Sequence, residues 1–264
     1  MTRPTTKPRR RRTGSKTADQ APCAAAFPYR DYERALGLLL SALGRGPFYA
    51  LVTGKTGSGK TSLKDDVQAS LDSHRHQLVY LSATANASSV GLARFLAQTF
   101  RVTPKRSFLE TVVDLVAALK AHPTQVLLWL DEADQLPHDT LAELRGLLES
   151  DGKSRPMFSV VLSGLPELRP VLDAPAFFPL KRRLDLRCVL EGLCRDELGA
   201  FLLHRFGTAG AARFPEHLLN ELFERTLATP ALLDKVGTLA LDLAGDGKDV
   251  REEHSRGALE ALGL

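Results

Sequence analysis

The eight residues GKTGSGKT, numbered 54 to 61, match the pattern G-x-x-x-x-G-K-[ST] at every position. A short apolar run over residues 48–52 precedes them, and residues 60–71 follow with helical spacing of apolar positions. Glycines between a strand and a helix let backbone N–H groups turn inward and form an anion-binding hollow. The start of the helix adds free N–H groups and a positive dipole end. The sequence therefore predicts a phosphate-binding loop.

This loop predicts a nucleotide triphosphate bound with Mg²⁺, and we expect the cofactors to be ATP and Mg²⁺. The ammonium of Lys60 can reach the β- and γ-phosphate oxygens, and the hydroxyl of Thr61 can bind the metal. The residues predicted to bind the nucleotide are Gly54, Lys55, Thr56, Gly57, Ser58, Gly59, Lys60, Thr61 and Ser62.

Two adjacent acids follow a second apolar run, over residues 126–130, that has the composition of a buried strand. Asp131 leaves the strand first, and we predict that it holds Mg²⁺ directly or through water. Glu132 is the predicted general base that polarises the attacking water. Together with Lys60, these acids form the predicted catalytic set, although two solvated acids capping a strand would give the same local sequence.

The rest of the chain predicts an α/β domain followed by helices. Strand and helix patterns alternate from residue 48 to 190, which is typical of a parallel sheet covered by helices on both faces. Beyond residue 193 only helical spacing is found, over residues 196–206, 216–227, 231–243 and 250–262. We therefore predict a P-loop NTPase domain over residues 27–192 and a small all-helical lid domain over residues 193–264.

Positive charge is concentrated at the N-terminus. Residues 1–20 contain seven basic residues and one acid, whereas the remaining chain contains 28 basic and 30 acidic residues. Residues 1–26 show no apolar periodicity, so we predict a disordered basic tail. Such a tail favours binding to the phosphates of double-stranded DNA. Its densest part consists of Arg9, Arg10, Arg11 and Arg12.

Cysteine content and hydropathy exclude other classes of protein. Three cysteines, Cys23, Cys188 and Cys194, argue against a disulfide framework and favour a reducing compartment. No apolar run approaches the roughly 18–20 residues of a membrane span, and no secretory signal follows the basic N-terminus. We therefore expect a cytoplasmic protein without a membrane partner.

Two short motifs raise the alternative of a helicase. Residues 131–134 spell DEAD, and residues 82–84 spell SAT. In helicases with these signatures SAT follows DEAD, whereas here it precedes DEAD by about fifty residues. A helicase would also need a second RecA-like domain, which an all-helical C-terminal region does not supply. The order of the motifs therefore argues against a helicase.

The sequence resembles AAA+ ATPases, and within them the group that contains the transposition ATPases TniB, TnsC, IstB and MuB together with the ExeA-type secretion ATPases. The segments that carry the resemblance are YALVTGKTGSGKTS at 49–62, LLWLDEADQL at 127–136, LAELRGLL at 141–148, VVLSGLPEL at 160–168 and LKRRL at 180–184. The resemblance extends over about residues 30–245.

Further catalytic roles are implied by this resemblance. Ser163 or its neighbourhood corresponds to sensor 1, the polar group that orients water against the γ-phosphate. Arg183, or alternatively Arg182, corresponds to the arginine finger that reaches the nucleotide of a neighbouring subunit, which implies a homo-oligomer. The lid arginine of the group is replaced by Ala231. Without that arginine we expect slow hydrolysis that a partner stimulates.

The resemblance implies a DNA-binding regulator of transposition. Such proteins assemble with ATP into rings or helical filaments on duplex DNA and recruit a transposase, and hydrolysis takes the assembly apart. We predict that two basic pairs in turns, Lys105 with Arg106 and Lys153 with Arg155, face the duplex, although each pair also fits an ordinary solvated turn.

Two alternatives remain open. One is an ExeA-like ATPase associated with secretion, although such proteins carry a membrane span and a cell-wall-binding module that we do not expect here. The other is a nucleotide-gated switch or loader similar to replication initiators. The basic tail could instead be a protein-docking arm, and nothing in it reads a specific base sequence.

Overall fold

The computed structural model describes residues 26–83, 88–148 and 158–264. Five strands form one parallel sheet in the order β2-β3-β4-β1-β5. The strands are β1 (Tyr49–Gly54), β2 (His76–Ser82), β3 (Gln125–Asp131), β4 (Ser159–Gly164) and β5 (Leu186–Leu190). Because all strands run in one direction, their carboxyl ends meet at one edge of the sheet, and a ligand site is expected there.

Helices cover both faces of this sheet, as predicted. One face carries α1 (Arg30–Leu43) and α2 (Lys60–Ser70). The other face carries α3 (Ser89–Thr99), α4 (Phe108–Ala121), α5 (His138–Leu148), α6 (Leu168–Asp173) and α7 (Phe178–Lys181). The predicted α/β class of P-loop NTPase is thereby confirmed. Helices α6 and α7 were not predicted, because four to six residues are too few for a periodic pattern.

Four helices follow β5, and no strand lies between them in the described part of the chain. They are α8 (Leu198–Ala211), α9 (Glu216–Arg225), α10 (Pro230–Ala244) and α11 (Glu252–Ala261). Helix α8 extends beyond the predicted end at residue 206 across a kink at Gly207, whose φ of 65° and ψ of 179° are not helical. No described helix combines the length and the apolar composition that crossing a membrane requires.

One apolar core joins the sheet and these last helices. Leu39 of α1 and Val52 of β1 belong to the same buried cluster as Phe201 of α8 and Val236 of α10. The last strand ends at Leu190, close to the predicted boundary between residues 192 and 193. Because the apolar core includes residues on both sides of this boundary, packing does not separate two domains there. The boundary between the two domains remains a prediction.

Strand β3 lies inside the sheet between β2 and β4, and its packing gives a testable prediction. Leu128 is fully buried, whereas Leu109 on α4 is 70% exposed. Replacing Leu128 with Ala leaves a cavity, so we expect the free energy of unfolding to fall by about 2–5 kcal/mol. Denaturant titrations followed by the fluorescence of Trp129, the single tryptophan, measure this change. Leu109→Ala is the control and should cost less than about 0.5 kcal/mol; equal losses would contradict the described core.

Candidate nucleotide-binding site

The loop between β1 and α2 has the backbone conformation that the glycines predict. Gly57 and Gly59 have φ angles of 82° and 97°, in the region that L-residues with a side chain rarely adopt. A Cβ at Gly54 would lie 2.7 Å from the carbonyl oxygen of Leu190 and would also collide with Ser58 Oγ. The loop is therefore closed tightly around its own backbone, and glycines are needed at these positions.

The side chain of Lys60 lies over this loop. Its Nζ donates hydrogen bonds to the carbonyl oxygens of Gly54, at 2.5 Å, and of Lys55, at 3.0 Å. Burial lowers the pKa of the Lys60 ammonium, while the nearby carboxylates of Asp131, Asp134 and Glu132 act in the opposite direction. These carboxylates favour the charged form of Lys60, which is the form that binds phosphate.

A cleft of about 370 Å³ brings the loop together with the predicted acids. Its size falls within the range of ligand pockets. The residues that line it are Thr56, Gly57, Gly59, Lys60, Thr61, Ser62, Asp131, Glu132, Asp134, Gln135, Gly164, Leu165 and Ala231. The structure thus places two segments about seventy residues apart in sequence on one cavity. Gly54, Lys55 and Ser58 are part of the loop but do not line the cleft.

Asp131 is nearly buried and is held by three hydrogen bonds. Its Oδ1 accepts from Ser163 Oγ at 2.6 Å and from the backbone N–H of Glu132 at 3.0 Å, and its Oδ2 accepts from the Tyr80 hydroxyl at 3.2 Å. Burial, followed by the charge of Asp131, raises the pKa of Tyr80, so the tyrosine stays a neutral donor. The carboxylate therefore has one orientation at the end of β3.

Ser163 contacts Asp131 and does not line the cleft. The residue is fully buried at the end of β4, and its Oγ also accepts a hydrogen bond of 2.8 Å from Trp129 Nε1. The geometry makes Ser163 a positioning residue for Asp131. Its implied role beside the γ-phosphate remains a prediction.

Glu132 is hydrogen-bonded to the neighbouring strand β2. Its φ of 54° is in the left-handed region, an unfavourable conformation that turns the chain sharply where β3 ends. Its Oε2 accepts a hydrogen bond of 2.8 Å from Ser82 Oγ at the end of β2. The predicted base is therefore already engaged by a hydroxyl group.

Sequence reasoning missed several of these polar residues. Tyr80 and Ser82 alternate along β2, and their spacing by two residues was the available signal that they share one side of the strand. Asp134 was visible only as part of the DEAD string; its Oδ1 accepts from the backbone N–H of Leu165 at 2.9 Å and ties the end of β3 to the loop after β4.

The residues of the cleft fit a magnesium ion that arrives with a nucleotide. Thr61 and Asp131, the predicted ligands, line the same cavity. No group of three or more His, Cys, Asp or Glu among the described residues could hold a metal by itself. Mg²⁺ commonly takes one or two protein oxygens together with water and phosphate oxygens, so this sparse set suits it. When bound, the ion would neutralise charge on the phosphates.

A second cavity, of about 180 Å³, adjoins the cleft and shares Gly57, Gly59, Ser62 and Ala231 with it. Its remaining walls are mostly apolar and come from both ends of the described chain. They are Ala26, Phe27, Tyr29, Tyr32, Ser58, Phe201, Arg205, Pro230 and Asp234. The aromatic walls suit the base of a nucleotide whose phosphates occupy the loop. Apart from Ser58, these wall residues were not among the predicted site residues.

The lid contacts the phosphate-binding loop through its backbone. The N–H of Ala231 donates a 3.2 Å hydrogen bond to the carbonyl oxygen of Gly57. A Cβ at Gly57 would lie 2.8 Å from the Cβ of Ala231, so Gly57 has no room for a side chain without movement. Ala231, which stands in place of the expected lid arginine, therefore packs directly against the phosphate-binding loop.

The predicted arginine finger lies outside the cleft of its own chain. Arg182 is exposed, with its guanidinium 5.6 Å from the ring of Phe178. Arg182 and Arg183 line a separate surface hollow of about 440 Å³ with Phe178 and Pro179. Either arginine could therefore serve only the nucleotide of another chain, and this role stays a prediction.

The predicted DNA contacts are only partly described. Lys105 and Arg106 are exposed in the turn between α3 and α4, and Lys105 Nζ lies 3.3 Å from Asp114 Oδ2. Their role remains a prediction. The other predicted contacts lie outside the described residues: Lys153, Arg155, Arg9, Arg10, Arg11 and Arg12.

Comparison with known proteins agrees with this geometry. Residues 46–172 match the family described as AAA domain. General secretion pathway protein A of Aeromonas hydrophila is 28% identical over 240 residues, which cover 87% of this chain and 44% of that protein. The chain therefore spans less than half the length of this curated relative.

Two solved structures share the fold at low sequence identity. Cdc6p from Pyrobaculum aerophilum has a TM-score of 0.68 and 19% identity, covering 90% of this chain and 69% of that chain. The ORC1 protein of Aeropyrum pernix in complex with DNA has a TM-score of 0.58 and 21% identity, covering 90% and 66%.

The fold and the cleft define the class of this protein as a P-loop ATPase of the AAA+ type. Residues 46–172 match an AAA domain, the chain is similar in sequence to General secretion pathway protein A, and its fold is similar to that of Cdc6p. These comparisons do not show the narrower resemblance to TniB and TnsC.

Loss of the Lys60 ammonium should abolish ATP binding, because that cation lies within the hollow formed by the loop. Isothermal titration of Lys60→Ala with Mg²⁺–ATP should show no heat of association, while the exposed Lys235→Ala on α10 should bind as the unmodified protein does. Retained affinity in Lys60→Ala would reject the phosphate-binding assignment.

Removal of the Ser82 hydroxyl should release Glu132 and raise basal turnover. A hydrogen bond to a charged group contributes about 1.5–3 kcal/mol, so we expect phosphate release by Ser82→Ala to rise by roughly tenfold or more. Ser70→Ala is the matched control, since its hydroxyl bonds only the carbonyl of Asp66 in its own helix. A slower Ser82→Ala enzyme would mean that Ser82 assists Glu132.

Proposed function

We propose that this protein is an ATP hydrolase that assembles on double-stranded DNA with ATP bound and regulates a transposase. Hydrolysis takes the assembly apart. The observation that carries the proposal is the cleft in which Lys60, Thr61, Asp131 and Glu132 converge, combined with the strongly basic N-terminal segment of the same chain.

Support for ATP hydrolysis comes from the chemical groups that line the cleft. Lys60 and Thr61 lie on the phosphate-binding loop, while Asp131 and Glu132 face them from the end of β3. A cation, a metal-binding hydroxyl and two carboxylates are the groups that phosphoryl transfer to water requires. With the water placed by Glu132, its proton would pass to that carboxylate as the water oxygen bonds the γ-phosphorus, while the bond from the γ-phosphorus to the bridging oxygen breaks and ADP leaves.

Slow, stimulated turnover is supported by two features. Ser82 holds the Glu132 carboxylate, and Ala231 stands where the resembled group has a cationic lid residue. A partner that frees Glu132, or a neighbouring chain that supplies Arg183 or Arg182, would complete the site. The proposal therefore includes a homo-oligomer, as a ring or a filament, as the active form.

Support for DNA as a partner is electrostatic. Residues 1–20 carry a net charge of +6, whereas the rest of the chain carries −2. Each neutralised phosphate releases a counterion, so such a segment gives salt-dependent binding without sequence specificity. Among the proteins with the same fold, ORC1 of Aeropyrum pernix has been solved with DNA.

A second candidate is an ATPase associated with secretion. The observation that favours it is the 28% identity to General secretion pathway protein A over most of this chain. In that case the oligomer would act on protein partners, and duplex DNA would leave turnover unchanged. The dependence of turnover on DNA therefore separates the two candidates.

The proposed function is tested with labelled duplex DNA and the Glu132→Gln variant, which should bind ATP and hydrolyse it slowly. We expect oligomers on DNA, visible by electron microscopy, with Mg²⁺–ATP and none without nucleotide. We expect replacement of four tail arginines with serine to reduce the slope of the logarithm of the DNA-binding constant against the logarithm of salt concentration by up to about four. The arginines are Arg9, Arg10, Arg11 and Arg12, and anisotropy titrations at several salt concentrations measure the slope.

The matched control replaces the exposed Arg225 and Lys235 with serine, leaves the basic tail intact and should keep the salt slope unchanged. A salt slope unchanged by the tail replacement would remove the tail from DNA binding. Assembly that forms equally well without nucleotide, or turnover that neither DNA nor a transposase changes, would reject the proposed regulation of transposition.

A further inference from the structure

Strand β5 is an edge strand of the sheet and is partly covered by its neighbours, since Arg187 is exposed whereas Cys188 is 5% exposed. It pairs with β1, and no described strand pairs with its other side. The N–H of Asp185 donates to the carbonyl of Tyr49, so alternation along the strand directs the main chain of Arg187 toward β1. The main-chain groups of Leu186 and Cys188 therefore point outward, and unpaired edge groups of this kind can accept another strand.

Two pockets lie on either side of this edge. One, of about 230 Å³, separates β5 from α1, and the other, of about 120 Å³, lies between β5 and helices α6 and α7. Arg187, Cys188 and Val189 line both pockets. A strand added to the edge would direct alternate side chains into the two pockets, which is the arrangement by which sheet edges select extended peptides.

The pocket beside α6 and α7 has an excess of positive charge. Lys181 Nζ is 2.6 Å from Asp173 Oδ1, whereas neither Arg169 nor Arg187 is paired with a carboxylate in the described chain. The hydrogen bond from Lys181 lowers the pKa of Asp173, and the charges of Arg187 and Arg169 contribute, so all three cations converge here.

The remaining walls of this pocket suit a side chain that is partly apolar. They come from Leu51, Leu172, Leu184 and Val189. Thr53 also lines it, and its buried Oγ1 has no hydrogen-bond partner among the described residues. Acidic side chains with an aliphatic stem match such a pocket, since the stem packs against the walls and the carboxylate meets the arginines.

The pocket beside α1 has a smaller excess of positive charge. Arg30, Arg34 and Arg187 line it with Asp31 and Glu191, whereas the other pocket has one acid, Asp173, beside its three cations. The two sides of the edge therefore differ, and the pocket beside α6 and α7 has the stronger preference for acidic side chains. A second copy of β5 would bring Arg169 and Arg187 against the same cations, so the charge pattern disfavours self-pairing and favours a different, acidic chain.

We propose that the outer edge of β5 binds an extended segment of a partner protein as a sixth strand, with acidic side chains directed to the pocket formed by Arg169, Lys181 and Arg187. The main chain of Leu186 and Cys188 supplies hydrogen bonds, and the arginines select the charge. This surface is separate from the nucleotide cleft and from the basic N-terminal segment.

The probe for this surface is a fluorescein-labelled ten-residue peptide of alternating Glu and Val, which places all glutamates on one side of a strand. Anisotropy with the full chain should show saturable binding, and the exposed double variant Arg169→Glu/Arg187→Glu should weaken it by roughly tenfold or more. Arg225→Glu, on the exposed side of α9, is the matched control and should leave the affinity unchanged.

Amide hydrogen exchange by NMR tests strand addition itself. Peptide binding should slow exchange at Leu186 and Cys188, whose N–H groups point outward, and leave Arg187 and Val189 unchanged because they already bond β1. Equal slowing of amide exchange along β5, or no slowing at all, would overturn strand addition even if the peptide binds.

Three other results would also overturn the proposal. They are equal binding of an alternating Lys–Val peptide, equal binding of a peptide with the same composition in separate Glu and Val blocks, and competition by duplex DNA that depends on Arg169 and Arg187. Peptide binding that requires removal of residues 1–25 would show that the chain's own N-terminal segment fills the edge, and the proposal would fail.

Discussion

A buried carboxylate at the end of β3 is the constraint on which the site depends. Asp131 is only 6% exposed, and an uncompensated charge at that depth would be costly. Compensation comes from the Ser163 and Tyr80 hydroxyls and from the Glu132 amide, so β2, β3 and β4 must keep their register for the carboxylate to be satisfied. The same network faces Lys60 across the cleft, and the sheet thereby sets the distance between the acids and the phosphate-binding loop.

The loop is constrained from the opposite side by the C-terminal helices. Ala231 bonds the carbonyl of Gly57, and Tyr29 donates a 2.8 Å hydrogen bond to the carbonyl of Ser58. The phosphate-binding loop is therefore held between strand β1, the N-terminal helix region and the lid. Strand β1 also pairs with β5, where Thr53 lies opposite Val189, so a strand bound at the outer edge of β5 would adjoin the strand that carries the loop. Nucleotide and partner surfaces thus share one strand as their common support.

The parts of the site that sequence predicted are those with local causes. The glycines of residues 54–59 are required by backbone geometry within the loop, and Lys60 follows them at a fixed spacing, so their positions need no distant contact. Asp131 and Glu132 were predictable because a buried strand must end where its first charged residues occur. Ser82, Tyr80 and Trp129 escaped prediction because their contacts join different strands, and strand order and register depend on pairing between distant segments. Helices α6 and α7 escaped because they are shorter than two turns.

The sequence by itself determined the class of fold, the phosphate-binding loop and the pair of acids, since apolar periodicity and glycine stereochemistry act over a few residues. Only the tertiary structure decided that Ser163 bonds Asp131, that Ser82 engages Glu132, and that Ala231 packs against Gly57. The same holds for the free edge of β5 and the two pockets beside it. These features arise where separate elements meet, and their distances follow from packing of the sheet between its helix layers, which no local pattern encodes.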